Sequence, residues 1–140
     1  MPEFDDRVIA AAPPEEVWKL LYDPSRFPDW WVGVETVEPA AADDGSGYTM
    51  YPTGYPDFPM PQELRADPAA GRVEISCLVS DLSFAWRLAE CDGGAATEVS
   101  VHVDIPDQEA HRLATQIDVI RRSLARLAAL AGAAPGAREN

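Results

Sequence analysis

Between Leu64 and Ile105 the chain alternates apolar and polar residues in four successive runs separated by three short loops. One set reads Leu64 and Ala66; Val73, Ile75, Cys77 and Val79; Leu82, Phe84, Trp86 and Leu88; Val99, Val101, Val103 and Ile105. The opposite set reads Arg65, Glu74, Ser76, Ser83, Arg87, Glu98, Ser100, His102 and Asp104. Successive side chains of a strand point to opposite faces, so the pattern predicts antiparallel strands with one dry and one wet face. The loops agree. Pro68–Gly71 pairs Leu64 with Ile75, Ser80-Asp81 pairs Val79 with Leu82, and Asp92-Gly93 pairs Trp86 with Val99 and Phe84 with Val101. Each register keeps the apolar sets of neighbouring strands on one face, and a one-residue slip would turn a strand inside out.

A helix is expected next, from about Asp107 to Ala131, with Asp107 as its cap and Gly132 near its end. Leu113, Ile117, Ile120, Leu124, Leu127 and Ala131 follow a three-four spacing and form one stripe. Asp107 and Glu109 lie at the positive end of the helix dipole, and Arg121, Arg122 and Arg126 lie toward the negative end. A one-sided sheet followed by a one-sided helix encloses apolar contents.

Upstream, Phe4 to Ala12 reads as a strand, and Pro13-Pro14 with Glu15 and Glu16 opens a helix that buries Val17, Trp18, Leu20 and Leu21. Asp23-Pro24 stops it, and a second short helix runs to Trp30-Trp31, with one tryptophan expected in the core and the other at a rim. Val32 to Glu38 and Tyr48 to Tyr51 read as strands around a polar turn at Ala40–Gly47. Tyr51 to Pro61 holds four prolines and three aromatics in eleven residues. Proline donates no ladder hydrogen bond, so this stretch is not expected in a central strand, and ordinary linkers are poor in aromatics. It reads as a stiff loop that either plugs one end of the core or forms a lid over a ligand entrance.

The 140 residues and 46% hydrophobic composition suit a single domain, taken as residues 1–133 with a tail at 134–140. The net charge of −13 repels phosphate backbones and anionic lipid heads, arguing against nucleic-acid and membrane-surface partners. No run approaches the roughly 20 apolar residues of a membrane-spanning helix, so no membrane insertion is expected. The acidic start is unlike a secretory signal. A cytoplasmic monomer or weak dimer is the expectation. Cys77 and Cys91 lack metal or redox spacing and read as free thiols.

Little catalytic chemistry is visible. His102 falls on the wet face and His111 opposite the helix stripe, with no ligand set expected around either, so the sequence predicts no metal and no cofactor. Neither histidine faces inward, as a nucleophile–histidine device requires. Gly45-Ser46-Gly47 is a turn, not a phosphate loop.

The opening of the chain resembles a known pattern. Ala12-Pro-Pro-Glu-Glu-Val-Trp18, then Leu21-Tyr-Asp-Pro24, then Phe27-Pro-Asp-Trp30 is similar to the start of SRPBCC proteins. That superfamily comprises START-domain, birch-pollen-allergen and polyketide cyclase/dehydrase-like proteins. Ser123-Leu-Ala-Arg-Leu127 also resembles the ending of their last helix. The resemblance implies an α+β helix-grip fold, a curved antiparallel sheet around a long C-terminal helix with two short helices after the first strand. It also implies a cavity for lipids, polyketides or other hydrophobic molecules, which some members transform with one or two polar residues. The inward polar groups expected here are Cys77, the Trp86 indole N–H and, at the edges, Tyr51, Tyr55, Gln116 and Ser123. The arginine-and-aromatic pattern of aromatic polyketide cyclases is not found, and Arg65 and Arg87 fall on the wet face.

Three functions follow: binding or carriage of an apolar small molecule, a cyclase, dehydratase or isomerase acting on one, or an interaction domain with a filled core. For the first, the expected cavity lining is Tyr51, Tyr55, Phe58, Trp86, Ile117 and Ile120, with the proline-rich loop and Trp30-Trp31 near its mouth.

Overall fold

A computed structural model describes residues 2–39 and 47–132. The turn expected at Ala40–Gly47, apart from Gly47, and the tail at 134–140 lie outside the described residues. The elements are β1 (Glu3–Ala10), α1 (Pro14–Tyr22), a single 3₁₀ turn (Pro24–Arg26), α2 (Phe27–Trp30), β2 (Val34–Pro39), β3 (Gly47–Pro52), β4 (Met60–Asp67), β5 (Arg72–Cys77), β6 (Ser83–Cys91), β7 (Ala96–Asp104) and α3 (Leu113–Gly132). Seven antiparallel strands form one sheet in the order β1-β7-β6-β5-β4-β3-β2. The helix-grip α+β fold is therefore present, with α3 lying over the dry face and packing most closely along β1.

The dry face is the one the alternation predicts. Leu64, Val73, Ile75, Cys77, Leu82, Phe84, Trp86, Val99, Val101, Val103 and Ile105 are all buried. Three members of the expected set are not: Ala66 is exposed near the end of β4, Leu88 is half-buried in β6, and Val79 lies in a loop beyond β5. The Leu64–Ile75 pairing is as expected, but the next two registers are each displaced by two residues. Ile75, not Cys77, faces Phe84, and Trp86 faces Val101, with Phe84 opposite Val103. Asp81 (φ 63°), Asp92 (φ 55°) and Gly93 (φ 68°) take left-handed conformations in loops longer than two-residue turns. A displacement of two preserves facing, so the burial pattern cannot distinguish these registers.

Met60 and Pro61 correct the reading of the proline-rich stretch, because both lie in the interior strand β4. Pro61 still contributes through its carbonyl, which accepts from Leu78 N at 3.0 Å. Only residues 53–59 form the loop.

The terminal helix also starts later than the periodicity suggests. Asp107–Arg112 form a 3₁₀ segment capped by Pro106 rather than Asp107, with Glu109 outside helical geometry, and α3 begins at Leu113. Ile120, Leu124, Leu127 and Ala131 are buried as the stripe requires, whereas Leu113 and Ile117 are only partly so. Ile117 overlies the first turn of α3, where the helix has not yet settled onto the core.

Trp30 and Trp31 are both buried, correcting the expectation of one at a rim. Trp30 ends α2 and Trp31 takes an extended conformation (φ −85°, ψ 108°), so two consecutive side chains enter the core. Trp18, expected in the core, is half-buried and stacks on Tyr22 with ring centroids 5.7 Å apart. Both thiols are free.

On the wet face, His102 of β7 contacts Asp5 (2.7 Å), Glu3 (2.9 Å) and Asp104 (3.3 Å). Single-chain periodicity could not reveal this set, since Glu3 and Asp5 arrive from β1. The hydrogen bond to Asp5 raises the His102 pKa above the ordinary imidazole value, aided by the charges of Asp5 and Asp104 against a smaller desolvation effect. A raised folded-state pKa stabilises the fold fully below about pH 6.5, and that contribution disappears as pH rises through the higher value. Urea midpoints measured from pH 6 upward should therefore fall with pH more in the wild type than in His102→Gln. Superimposable pH profiles would refute this.

The helix corrections have their own test. Ile120→Ala, at a fully buried site, should cost about 2–5 kcal/mol. Ile117→Ala should cost well under half as much in the same denaturation series.

Candidate functional site

A partly enclosed apolar cavity lies between the β2–β5 half of the sheet and the start of α3. Its volume is ≈ 190 Å³. Trp31 and Val34 form one wall with the tight corner between them, where Gly33 (φ 94°) adopts a conformation that side-chain-bearing residues rarely take. Met50 and Met60, directly paired across β3 and β4, contribute to the floor. Leu82 and Phe84 enter from β6 and the loop before it, while Val119 and Gln116 descend from α3.

One buried serine fixes this corner. Ser123 Oγ donates to Val119 O at 2.7 Å and accepts from Val32 N at 2.9 Å. The Trp31–Gly33 corner is thereby tied to the helix, and the cavity keeps its width. Ser123, expected as an edge polar group of the cavity, is instead a fully buried structural link.

Three polar residues cross the floor in one row. Tyr48 of β3 pairs with Gln62 of β4, which pairs with Cys77 of β5. All three are buried and line the cavity. Gln62 Nε2 donates to Met60 O at 3.2 Å. Among the described residues, the Tyr48 hydroxyl has no hydrogen-bond partner. Burial lifts its pKa far above the ordinary tyrosine range, with a smaller contribution from the nearby Cys77 thiol, so it remains a protonated donor. Ser80 adds a second hydroxyl. Arg112 stands at the helix side and forms an ion pair with Glu109. Among the described residues, neither Asp, Glu nor His lines the cavity.

The residues expected at the site are dispersed. Trp30, Trp86 and Ile120 are fully buried in the core, and Tyr55 and Phe58 are exposed in the 53–59 loop. Ile117 is half-buried outside the lining. Tyr51 points to the other face, donating from its hydroxyl to Glu38 Oε1 at 3.0 Å, a bond that raises its pKa. None of these seven lines the cavity. The reason is the tryptophan pair. Trp30 and Trp31 occupy the space in front of Trp86, with centroids 5.3 and 5.2 Å from its ring, and displace the open volume toward β3 and β4.

Tyr48, Gln62, Ser80 and Arg112 were not legible as site residues. Tyr48 begins a run too short to reveal which parity faces inward, and Gln62 lies just before the clear alternation. Met50 two residues after Tyr48 was the available signal.

Two other features are less suited to a site. A wider groove of ≈ 570 Å³, between Trp18 and Tyr22 of α1 and the Pro68–Gly71 loop, is shallow and bordered by Glu15, Lys19 and Glu90. Glu3, His102 and Asp104 bring three ligand-capable atoms within 4.8 Å of one another on the wet face. This contradicts the expectation that no such set surrounds either histidine. The carboxylates already serve as partners of the imidazole.

Among curated proteins, none matches the sequence. Several solved structures resemble the fold. The di-domain ARO/CYC BexL of the BE-7585A biosynthetic pathway is 19% identical, with a TM-score of 0.75 over 92% of this chain and 46% of that one. The chain thus spans about half of BexL's length. The Zhui aromatase/cyclase from Streptomyces sp. R1128 is 20% identical, with a TM-score of 0.73 and 93% of each chain covered. A protein from Nitrosospira multiformis is 18% identical, with a TM-score of 0.76 over 99% of this chain and 100% of that one. At these identities the likeness establishes the fold alone. The sequence of residues 1–132 itself matches the family described as polyketide cyclase / dehydrase and lipid transport. From its first strand through its last helix, the chain belongs to that polyketide cyclase / dehydrase and lipid transport family.

Proposed function

We propose that the protein binds a mainly apolar small molecule in the cavity behind Trp31 and carries it unchanged. The observation that carries this reading is the ≈ 190 Å³ space, walled by Trp31, Val34, Met50, Met60, Leu82 and Phe84. Area burial supplies affinity in such a space, and a few polar groups set orientation. Membership of a family that includes lipid transport supports the same reading.

Carriage is favoured over catalysis by the chemistry of the lining. Dehydration and cyclisation require a proton acceptor as well as a donor. Among the described residues, the lining offers a firmly protonated Tyr48 and no carboxylate or imidazole. An acid-assisted reaction at Tyr48 is the second reading, supported by that donor's position and by the aromatase/cyclase titles of similar structures. Two free thiols fit a reducing compartment such as the cytoplasm. A net charge of −13 fits a protein that avoids nucleic acid and remains a monomer or weak dimer. We take residues 1–133 as one domain and 134–140 as a tail, and the family match over residues 1–132 fits the first of these bounds.

Trp31 provides the readout. Toluene should quench or shift tryptophan fluorescence saturably. Val119→Trp, which fills the cavity from α3, should weaken binding at least about tenfold, equivalent to roughly 1.4 kcal/mol. Equal binding by wild type and Val119→Trp would locate the site elsewhere, and absence of saturable binding would end the carrier reading.

A further inference from the structure

We infer that the cavity selects a neutral single-ring molecule carrying one hydroxyl group, a phenol or its alicyclic counterpart. This deepens the binding reading above and rests on it. Three independent features converge on it.

Size comes first. A cavity of about 150 Å³ accommodates benzene, whereas drug-sized ligands occupy roughly 300–1,000 Å³. The ≈ 190 Å³ here admits one ring with a small substituent and excludes three fused rings. Its tryptophan wall is not easily moved. Trp31 is held between Phe27 (5.2 Å), Phe84 (5.2 Å) and Trp86 (5.2 Å), and its corner is tied to α3 through Ser123.

The polar row supplies the second feature. Tyr48 and Gln62 are direct cross-strand neighbours on the cavity side of the sheet, and such side chains have Cβ atoms about 4.5–5.5 Å apart. Tyr48 presents an O–H donor, whereas Gln62, with Nε2 already donating to Met60 O, presents its amide carbonyl as an acceptor. A ligand hydroxyl is complementary to both at once: its oxygen accepts from Tyr48 and its hydrogen is donated to Gln62. A ketone would satisfy only the donor, and a hydrocarbon would satisfy neither.

Charge is the third. Among the described residues, Arg112 is the only cationic one in the lining, and its guanidinium is paired with Glu109. The surrounding protein carries a net charge of −13. A carboxylate would enter against that field without an unpaired cation to receive it.

The test compares p-cresol, toluene, 4-methylbenzoate and 2-hydroxyanthracene by titration calorimetry on the full chain. Wild type should bind p-cresol about tenfold more tightly than toluene, the usual scale for satisfying buried polar groups. It should bind 4-methylbenzoate at least about tenfold more weakly than p-cresol, and 2-hydroxyanthracene should not bind. Tyr48→Phe preserves the ring against Phe27 and should bring p-cresol within about twofold of toluene. Gln62→Leu is the second variant, expected to narrow the same ratio if Tyr48→Phe does not fold. Equal wild-type affinities for p-cresol and toluene would overturn the hydroxyl assignment while leaving an apolar site. Tight binding of 2-hydroxyanthracene or 4-methylbenzoate would overturn the size or charge assignment. Failure of both toluene and p-cresol to bind would remove the binding reading itself, and this inference with it.

Discussion

Two consecutive tryptophans sent into the same core set the terms for the rest of this molecule. Trp30 and Trp31 stack on each other, with centroids 5.4 Å apart, and both stand nearly perpendicular to Trp86 of the sheet. Phe27, Tyr48 and Phe84 complete the cluster through edge contacts. Buried rings of this size remove roughly 150–250 Å² each from water, so a cluster of six is a major part of the apolar burial in a 140-residue chain. Trp30 Nε1 donates to Leu20 O at 2.9 Å, which locks α2 to α1. Trp86 Nε1 is buried without a hydrogen-bond partner among the described residues. Its desolvation costs about 1–3 kcal/mol, offset by the packing of the surrounding rings.

The cavity is what this aromatic packing leaves open. Along β6 and β7 the rings and the Ile120–Leu127 side of α3 close the core, whereas Met50 and Met60 leave a gap over β3 and β4. Methionine is flexible and polarizable, so this pair can adjust to a guest that the tryptophan wall cannot accommodate by moving. Rigidity on one side and adaptability on the other make a site selective in size without requiring one exact shape. The polar groups are concentrated on the sheet floor, where strand geometry holds them at fixed spacing.

On the opposite face of the same sheet, the chemistry is ionic. Arg7 pairs with Glu98, Arg72 with Glu74, and His102 with its carboxylates. Exposed pairs of this kind contribute little each, typically well under 1 kcal/mol. They matter more for register at the β1 edge, where alternation alone would permit other pairings. Acidic and basic side chains also make that edge a poor template for another strand.

The sequence by itself determined which face of β5, β6 and β7 turns inward and that a long amphipathic helix must cover that face. Those properties follow from local periodicity, and Val73, Ile75, Phe84, Trp86, Val99 and Val101 occupy the core accordingly. It also supported the family through the Ala12–Trp30 motif. Register was beyond it, because displacements of two residues between β5 and β6 and between β6 and β7 leave every facing unchanged. The orientation of β3 was equally open, since a run as short as Tyr48–Tyr51 can bury either parity. Only the tertiary structure decided that Tyr48 faces in and Tyr51 out, and that both Trp30 and Trp31 are core residues. The position of the cavity followed from those decisions. A void is the remainder after all neighbouring side chains have claimed their volume, and that remainder is a property of three-dimensional packing rather than of any stretch of chain.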